Sequence, residues 1–338
     1  MKKLKLRVVT LFFVFILLFG GLSVGNLLEN DGMVSKVSDS VNDDFYFVQI
    51  TDTHVMHRVF DRGEASKKRF KTVLDEINSF EEKPAFVVIT GDLTDWGENG
   101  FSGALNCLAF VSCLYKKNGQ LYADSNFSIP VYTTPGNHDY CYSRNLRNYH
   151  RFIDKDDRYV VNYHDVSLFF MDSGPNHYLQ PGGWFNTIDG DGLYNCDIDW
   201  LEDALSSCGS SHKIVLMHHP AVNIRDENGR MLDVIARNRE RFVELCEEYD
   251  VDLVLAGHTH YSRIFDAAEN FYYDNTSLNC SLYPTLFVQT DDCKEGIHYR
   301  NVSFVGDDVW LGNCVEVVSA SMDLELLGVE ARFTVEVN

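Results

Sequence analysis

Five short polar clusters interrupt an otherwise apolar pattern. They are Asp52 and His54 in TDTH, Asp92 in GDLTD, Asn137 and His138 in GNHD, His218 in MHHP, and His258 with His260 in GHTH. Carboxylate, imidazole and amide oxygen are donors suited to borderline divalent ions such as Mn, Fe, Zn or Co, and no cysteine joins them to favour a softer metal. Seven such donors are too many for one tetrahedral ion. They suit two ions about 3.5–4 Å apart that share one carboxylate. In extended chain residues i and i+2 face the same way, so His258 and His260 project together where Gly257 lets the backbone turn. An isolated pair of this kind reads most simply as one exposed and one satisfied loop histidine. Five clusters in succession outweigh that reading.

The elements that must position these clusters alternate in type. Phe45 to Ile50 is a strand candidate, and so are AFVVIT (Ala85 to Thr90), Val131 to Thr134, VSLFFMDS, KIVLMHHP and VDLVLAGHTH. Between them lie helical stretches. EASKKRFKTVLDEINSF places Phe70, Val73, Leu74 and Ile77 at helical spacing, Gly103 to Tyr115 is apolar and helical, and CDIDWLEDALSSC and RNRERFVELCEEY follow. Near-continuous apolar strands separated by helices predict an α/β layer architecture with sheet buried on both faces. Ligands of open α/β folds collect at the carboxyl ends of strands, and each polar cluster sits at such an end. From Leu286 onward the helical pattern stops, and TLFVQT, HYRNVSFV and ARFTVEVN read as strands.

In that order, DTH, GDLTD, GNHD, HHP and GHTH closely resemble the motifs of the calcineurin-like metallophosphoesterases, over roughly Phe45 to Phe304. The resemblance implies a four-layer α/β/β/α sandwich and a dinuclear hydrolase of phosphate mono- or diesters. It implies that Asp52, His54 and His260 hold one ion, that Asp92 bridges, and that Asn137, His218 and His258 complete the second site. His219 is the alternative to His218. The implied reaction is attack of a metal-bridging hydroxide on phosphorus, with His138 assisting departure of the alkoxide. Purple acid phosphatases carry a tyrosine three residues after the bridging aspartate, where this chain has Asp95, so a tyrosinate-iron site is not expected. GDLTDWG with GNHD looks closer to the branch of class III cyclic-nucleotide and glycerophosphodiester phosphodiesterases. The same architecture also serves non-catalytic scaffolds and metal-binding proteins, whose expected mark is loss of ligand positions.

Other side chains have more modest readings. His57 reads as an exposed loop residue. Asp139 either orients His138 or caps the following helical stretch, and Asp95 either orients a ligand or caps a turn. His150, His164, His177, His212 and His298 read as structural. The loops Gly97 to Gly103 and Tyr178 to Gly192 are expected to set specificity, and the aromatic residues of FYYDN and GGWFN either line a pocket or pack.

The chain carries 29 Lys and Arg against 50 Asp and Glu, a formal net charge of −21. Such a balance offers no basic stripe for nucleic acid or an anionic bilayer; the partner that the resemblance implies is a small phosphorylated substrate. The first seven residues, MKKLKLR, are positive and precede the apolar run VVTLFFVFILLFGGLSVG. Residues 1–30 therefore read as a signal peptide or membrane anchor, residues 31–44 as a linker, and residues 45–338 as the catalytic domain with a C-terminal β extension. The expectation is an exported protein, secreted or held extracytoplasmically by that segment, with membrane contact only there. Nine cysteines without a C-x-x-C spacing exclude a thiolate metal site, and an oxidising compartment would allow some of them to pair.

Overall fold

The first strand fixes the arrangement of layers. In β1 (Phe45–Ile50) Phe47 faces one side while Val48 and Ile50 face the other, and all three are fully buried. A strand apolar on both faces requires cover on both. A computed structural model describes residues 44–57, 61–114, 127–141, 143–176 and 189–317, with side chains from residue 65 in the first helix. The expected signal or anchor segment, most of the linker, the strand proposed in ARFTVEVN, His177 and GGWFN lie outside the described residues. Among the described residues no helix is long and apolar enough to cross a membrane.

Continuing along the chain, α1 is Asp61–Ser79, β2 Val87–Thr90, α2 Gly100–Leu114, β3 Val131–Thr134, α3 Asn137–Tyr140 and α4 Arg147–Phe152. Next come β4 (Tyr159–Tyr163), β5 (Val166–Phe170), β6 (Gly190–Gly192), α5 (Asn195–Ser206), β7 (His212–Leu216), β8 (Ile235–Arg237), α6 (Arg239–Glu248) and β9 (Leu253–Ala256). The C-terminal part is β10 (Arg263–Asp266), β11 (Phe271–Tyr272), β12 (Leu278–Asn279), β13 (Leu286–Gln289), β14 (His298–Val305), β15 (Asp308–Leu311) and β16 (Val315–Glu316).

Two seven-stranded sheets result. One runs β12-β15-β14-β1-β2-β3 with β16 on β14, and the other runs β11-β10-β13-β9-β7-β5-β4. The strands that end in polar clusters are parallel neighbours, β1 with β2, β2 with β3, and β7 with β9. Three apolar cores account for the layers. Phe47, Val88, Leu168, Ile214, Leu255 and Val302 interdigitate between the sheets. Phe70, Val73 and Ile77 of α1 and Phe110 of α2 cover Val48, Ile50, Val87 and Ile89 on one outside face. Ile198 and Leu201 of α5 with Phe242 and Leu245 of α6 cover Phe169, Val215 and Val254 on the other. The order is thus α/β/β/α, as expected. Truncating one of these fully buried rings, Phe70→Ala for example, would cost about 3–5 kcal/mol.

The hairpin strands β10 to β12 carried no clear sequence pattern because they are two to four residues long. Cys107, Cys113, Cys246, Cys280 and Cys293 are buried as small apolar side chains.

Candidate metal centre

The carboxyl ends of β1, β2, β3, β7 and β9 converge, and the seven expected donors meet there. Asp52 and Asp92 are both almost wholly buried. Asp52 Oδ1 lies 3.3 Å from His260 Nε2 and 3.8 Å from His54 Nε2. Asp92 stands between two groups of donors: its Oδ2 is 3.4 Å from His54 Nε2 and its Oδ1 is 3.4 Å from His218 Nε2. Asn137 Oδ1 is 3.0 Å from the same His218 nitrogen. His258 joins from the far side, its ring centroid 5.1 Å from that of His218.

The backbone reaches this arrangement at a cost. Asp52, His54, Asp92, His258 and His260 all have positive φ, between 41° and 70°. Non-glycine residues held there each cost of order 1–3 kcal/mol and persist only where the surroundings impose them. Turning abruptly at the strand end is what brings short side chains into a common cavity. Gly257 is required by close approach, since a Cβ there would lie 1.9 Å from Thr51 Oγ1 and 2.4 Å from Asp52 Oδ2.

Hydrogen bonds determine which atoms remain for a cation. Asp52 Oδ2 accepts from the Thr51 hydroxyl (2.7 Å) and the His258 backbone N–H (2.9 Å), while Oδ1 and His54 Nε2 are buried without a hydrogen-bond partner. Buried polar atoms are ordinarily satisfied, so two orphaned donors facing each other fit a bound ion. His218 Nδ1 donates to the Thr90 carbonyl (2.9 Å), which leaves the Nε2 lone pair facing Asp92 and Asn137. His219 differs. Ser173 Oγ accepts its backbone N–H (3.0 Å) and lies 2.8 Å from its Nδ1, while its Nε2 is buried without a hydrogen-bond partner. The Nε2 of His218 faces Asp92 and Asn137, and His219 stands beside it as the alternative donor, its ring centroid 4.2 Å from that of His258.

The field also favours positive charge. Burial opposes protonation of His54, yet the neighbouring carboxylates of Asp52 and Asp95 outweigh it and push the imidazole up to about 9. Burial likewise opposes protonation of His218, and the charges of Asp92 and Asp52 raise it to about 9. His258 goes the other way: burial first, then the His218 charge, lower it to about 3, which keeps its nitrogens available as neutral donors. A divalent cation would meet the same demand for positive charge.

Three supporting carboxylates surround these donors. Asp95 Oδ1 bonds His138 Nδ1 at 2.5 Å and His54 Nδ1 at 3.3 Å, so it orients two imidazoles rather than capping a turn. Asp139 does not touch the His138 ring. Its carboxylate accepts from the N–H groups of Leu93, Thr94 and Gly136 and from the Thr94 hydroxyl, fastening the loop after β2 to the start of α3. Asp292, which the sequence reading passed over, faces His260 Nδ1 from 3.5 Å. It lies just past the end of β13, in TDDC, and the one signal for it was that a sixth strand also ends in carboxylates.

His138 is one-third exposed, and its Nε2 is 4.0 Å from Asp92 Oδ2 at the edge of a cleft of about 590 Å³. The cleft's far wall departs from expectation. The segment Asp291–His298 supplies it, with Tyr261 and Asn176, whereas Gly97 to Gly103 and the aromatic residues of FYYDN contribute nothing among the described residues. Gly100 to Gly103 are instead the first turn of α2. His298, expected to be structural, lines this wall with its Nδ1 donating to the Asp292 carbonyl (2.8 Å). His57 is absent from the lining, and its backbone N–H bonds Asn106.

Comparison with known proteins gives concordant relatives. The chain is 30% identical over 222 residues to a probable glycerophosphodiester phosphodiesterase GpdQ of Arcobacter nitrofigilis, which covers 63% of this chain and 71% of the relative. It is 25% identical over 222 residues to a probable cyclic nucleotide phosphodiesterase of Rhodococcus erythropolis, covering 64% and 65%. It is 26% identical over 195 residues to the glycerophosphodiester phosphodiesterase GpdQ of Enterobacter lignolyticus, covering 56% and 60%. The chain therefore spans 60% to 71% of the length of these relatives. A family profile described as calcineurin-like phosphoesterase matches residues 45–262, from the start of β1 to just past His260. On that match, over the same strands whose ends gather the seven donors, the chain belongs to the calcineurin-like phosphoesterase family.

Proposed function

We propose that this protein is a metal-dependent hydrolase of small phosphate mono- or diesters, working with two divalent cations. Asp52, His54, Asp92 and His260 would hold one, and Asp92, Asn137, His218 and His258 the other. The names of its relatives, glycerophosphodiester and cyclic nucleotide phosphodiesterases, support a phosphodiester among the substrates. The observation that carries the reading is the pair of orphaned buried atoms, Asp52 Oδ1 and His54 Nε2, in a cluster with a carboxylate shared between two donor groups.

Bound divalent cations would supply Lewis acidity and positive charge against the phosphoryl oxygens. The chain's own residues do the remainder. Asp95 accepts the His138 Nδ1–H and so turns the ring to present Nε2 to the cleft, where it can hand a proton to the departing alkoxide. Asp92 Oδ1 accepts the His138 backbone N–H at 2.7 Å, which ties the acid to the shared carboxylate and fixes its distance from the reacting centre. Asn137 is the first residue of α3, beside its His218 partner, and it contributes a neutral oxygen. All the donor positions and His138 are present, which is what a scaffold that had lost catalysis would lack.

Turnover of p-nitrophenyl phosphate and bis-p-nitrophenyl phosphate with added manganese tests the proposal. Asp92→Asn should lower kcat/KM by about a thousandfold, the scale of losing a central transition-state contact. Absence of metal-dependent turnover by the unmodified protein would overturn the reading, and an equal rate for the Asn variant would remove Asp92 from its bridging place.

A further inference from the structure

The cleft wall opposite the donor cluster is supplied by a segment beyond the family match, and it holds one permanent cation. Of the described residues that line the cleft, Lys294 alone carries a fixed positive charge, in a chain of net charge −21. No described residue hydrogen-bonds or ion-pairs with its ammonium group. Two of the carboxylates beside it, Asp291 and Asp292, are engaged elsewhere. Asp292 Oδ1 accepts the backbone N–H groups of Lys294, Glu295 and Gly296 at 2.7, 2.6 and 3.3 Å, and its Oδ2 faces His260. Asp291 Oδ2 lies 3.9 Å from His298 Nε2. Arg69 of α1 is near enough to Asp292 and Glu295 to share their charge.

The segment is built rather than loose. Besides the three bonds to Asp292, the Cys293 N–H donates to the Thr51 carbonyl at 3.1 Å, one residue from Asp52, and Cys293 Sγ donates to the His298 carbonyl. The backbone that carries Lys294 is therefore anchored to the backbone that carries the first donors. An ammonium group without a counter-ion among the described residues, held on a fixed turn facing a phosphoester site, is complementary to an oxyanion.

We propose that Lys294 is a specificity-determining residue that contacts the non-bridging oxygens of the substrate's phosphoryl group, and that it does more for dianionic monoesters than for monoanionic diesters. The inference rests on the phosphoesterase reading above. Charge sets the direction: an ion pair with a dianion gains more than one with a monoanion, while ordinary packing against the wall would affect both esters alike.

The test compares the unmodified, metal-loaded protein with Lys294→Met and Lys294→Arg. For p-nitrophenyl phosphate, Lys294→Met should raise KM about tenfold, the size of one charge-assisted hydrogen bond, with kcat within about twofold. For bis-p-nitrophenyl phosphate the rise in KM should be about threefold or less. Competitive inhibition by inorganic phosphate should weaken about tenfold, and bound metal measured by atomic absorption should stay the same. Lys294→Arg should restore both KM and phosphate inhibition to within about threefold. An unchanged KM and phosphate inhibition constant in Lys294→Met would overturn the proposal, and so would equal losses for the two esters. Failure of the unmodified protein to turn over either ester would instead overturn the phosphoesterase reading itself.

Discussion

The two halves of the donor cluster are supported in different ways. In the first, both imidazoles have a carboxylate behind them, Asp95 for His54 and Asp292 for His260, and Asp52 adds a charge of its own. In the second, His218 leans on the Thr90 carbonyl, Asn137 is neutral, His258 is held uncharged, and the only carboxylate is the shared Asp92. The second half is also drier: His218 is fully buried, whereas the His260 side chain is one-quarter exposed. A carboxylate behind an imidazole raises its basicity as a donor, and a charged ligand binds a dication more strongly than an amide does. The first half should therefore bind its ion more tightly, and the second should supply the more readily lost one.

The largest effect expected from this contrast comes from splitting the histidine pair. His260→Ala should strip chiefly the first ion and His258→Ala chiefly the second, each lowering kcat/KM by at least about a hundredfold. Metal content after dialysis, measured for each variant, would read the split, and identical loss of both ions would break it. With the unmodified protein, stepwise addition of a chelator should remove the ions in two phases rather than one. Next in size is Asp95→Asn, which removes the support behind His54 and His138 together. It should weaken the first ion about 10- to 100-fold and leave the second nearly unchanged, as calorimetric titration with manganese would reveal.

The smallest effect lies outside both halves. Asp172 is partly buried against the Tyr140 hydroxyl at the end of α3, and desolvation, only partly offset by its hydrogen bonds, raises its carboxyl to about 7. A carboxyl raised above its unfolded value binds its proton better when folded. Its contribution to stability is complete below about pH 4 and is lost as pH rises through about 7. Asp172→Asn should flatten the fall in stability between those pH values by about 1–3 kcal/mol, read from urea unfolding with an unchanged m-value. Metal content should not change, which makes this variant the reference against which the others are judged.

The contrast between the halves was only partly legible in the sequence. The donors were, because each ends an apolar strand and strand ends in an α/β layer share one crevice. The choice between His218 and His219 was not, since both follow the end of β7 and both rings are fully buried in the same donor cluster. Asp95 was weighed as an orienting group or a cap, and only its reach to two rings decides between them. Asp292 and Lys294 sit in a stretch without periodicity, and the one local mark was the pair of carboxylates just past β13. The left-handed backbone at five donors was equally hidden, because Asp and His visit that region more readily than other side chains but do not mark it as glycine does. Layer order was legible because β1 and β2 are apolar on both faces, whereas the short hairpins β10 to β12 have too few residues to display alternation.

The strands beyond residue 262 are partners, not ornament. β1, which delivers Asp52 and His54, lies between β2 and β14, and β9, which delivers His258 and His260, lies between β7 and β13. Trimming the chain to the family segment would strip β14 from one sheet and β13 from the other. Each would then end in a raw edge, an unpaired row of N–H and C=O groups along an apolar strand, which is a template for self-association. The two strands that bear the pairs of donors would be the two made adhesive, so a shortened protein should precipitate before its metal chemistry could be assayed.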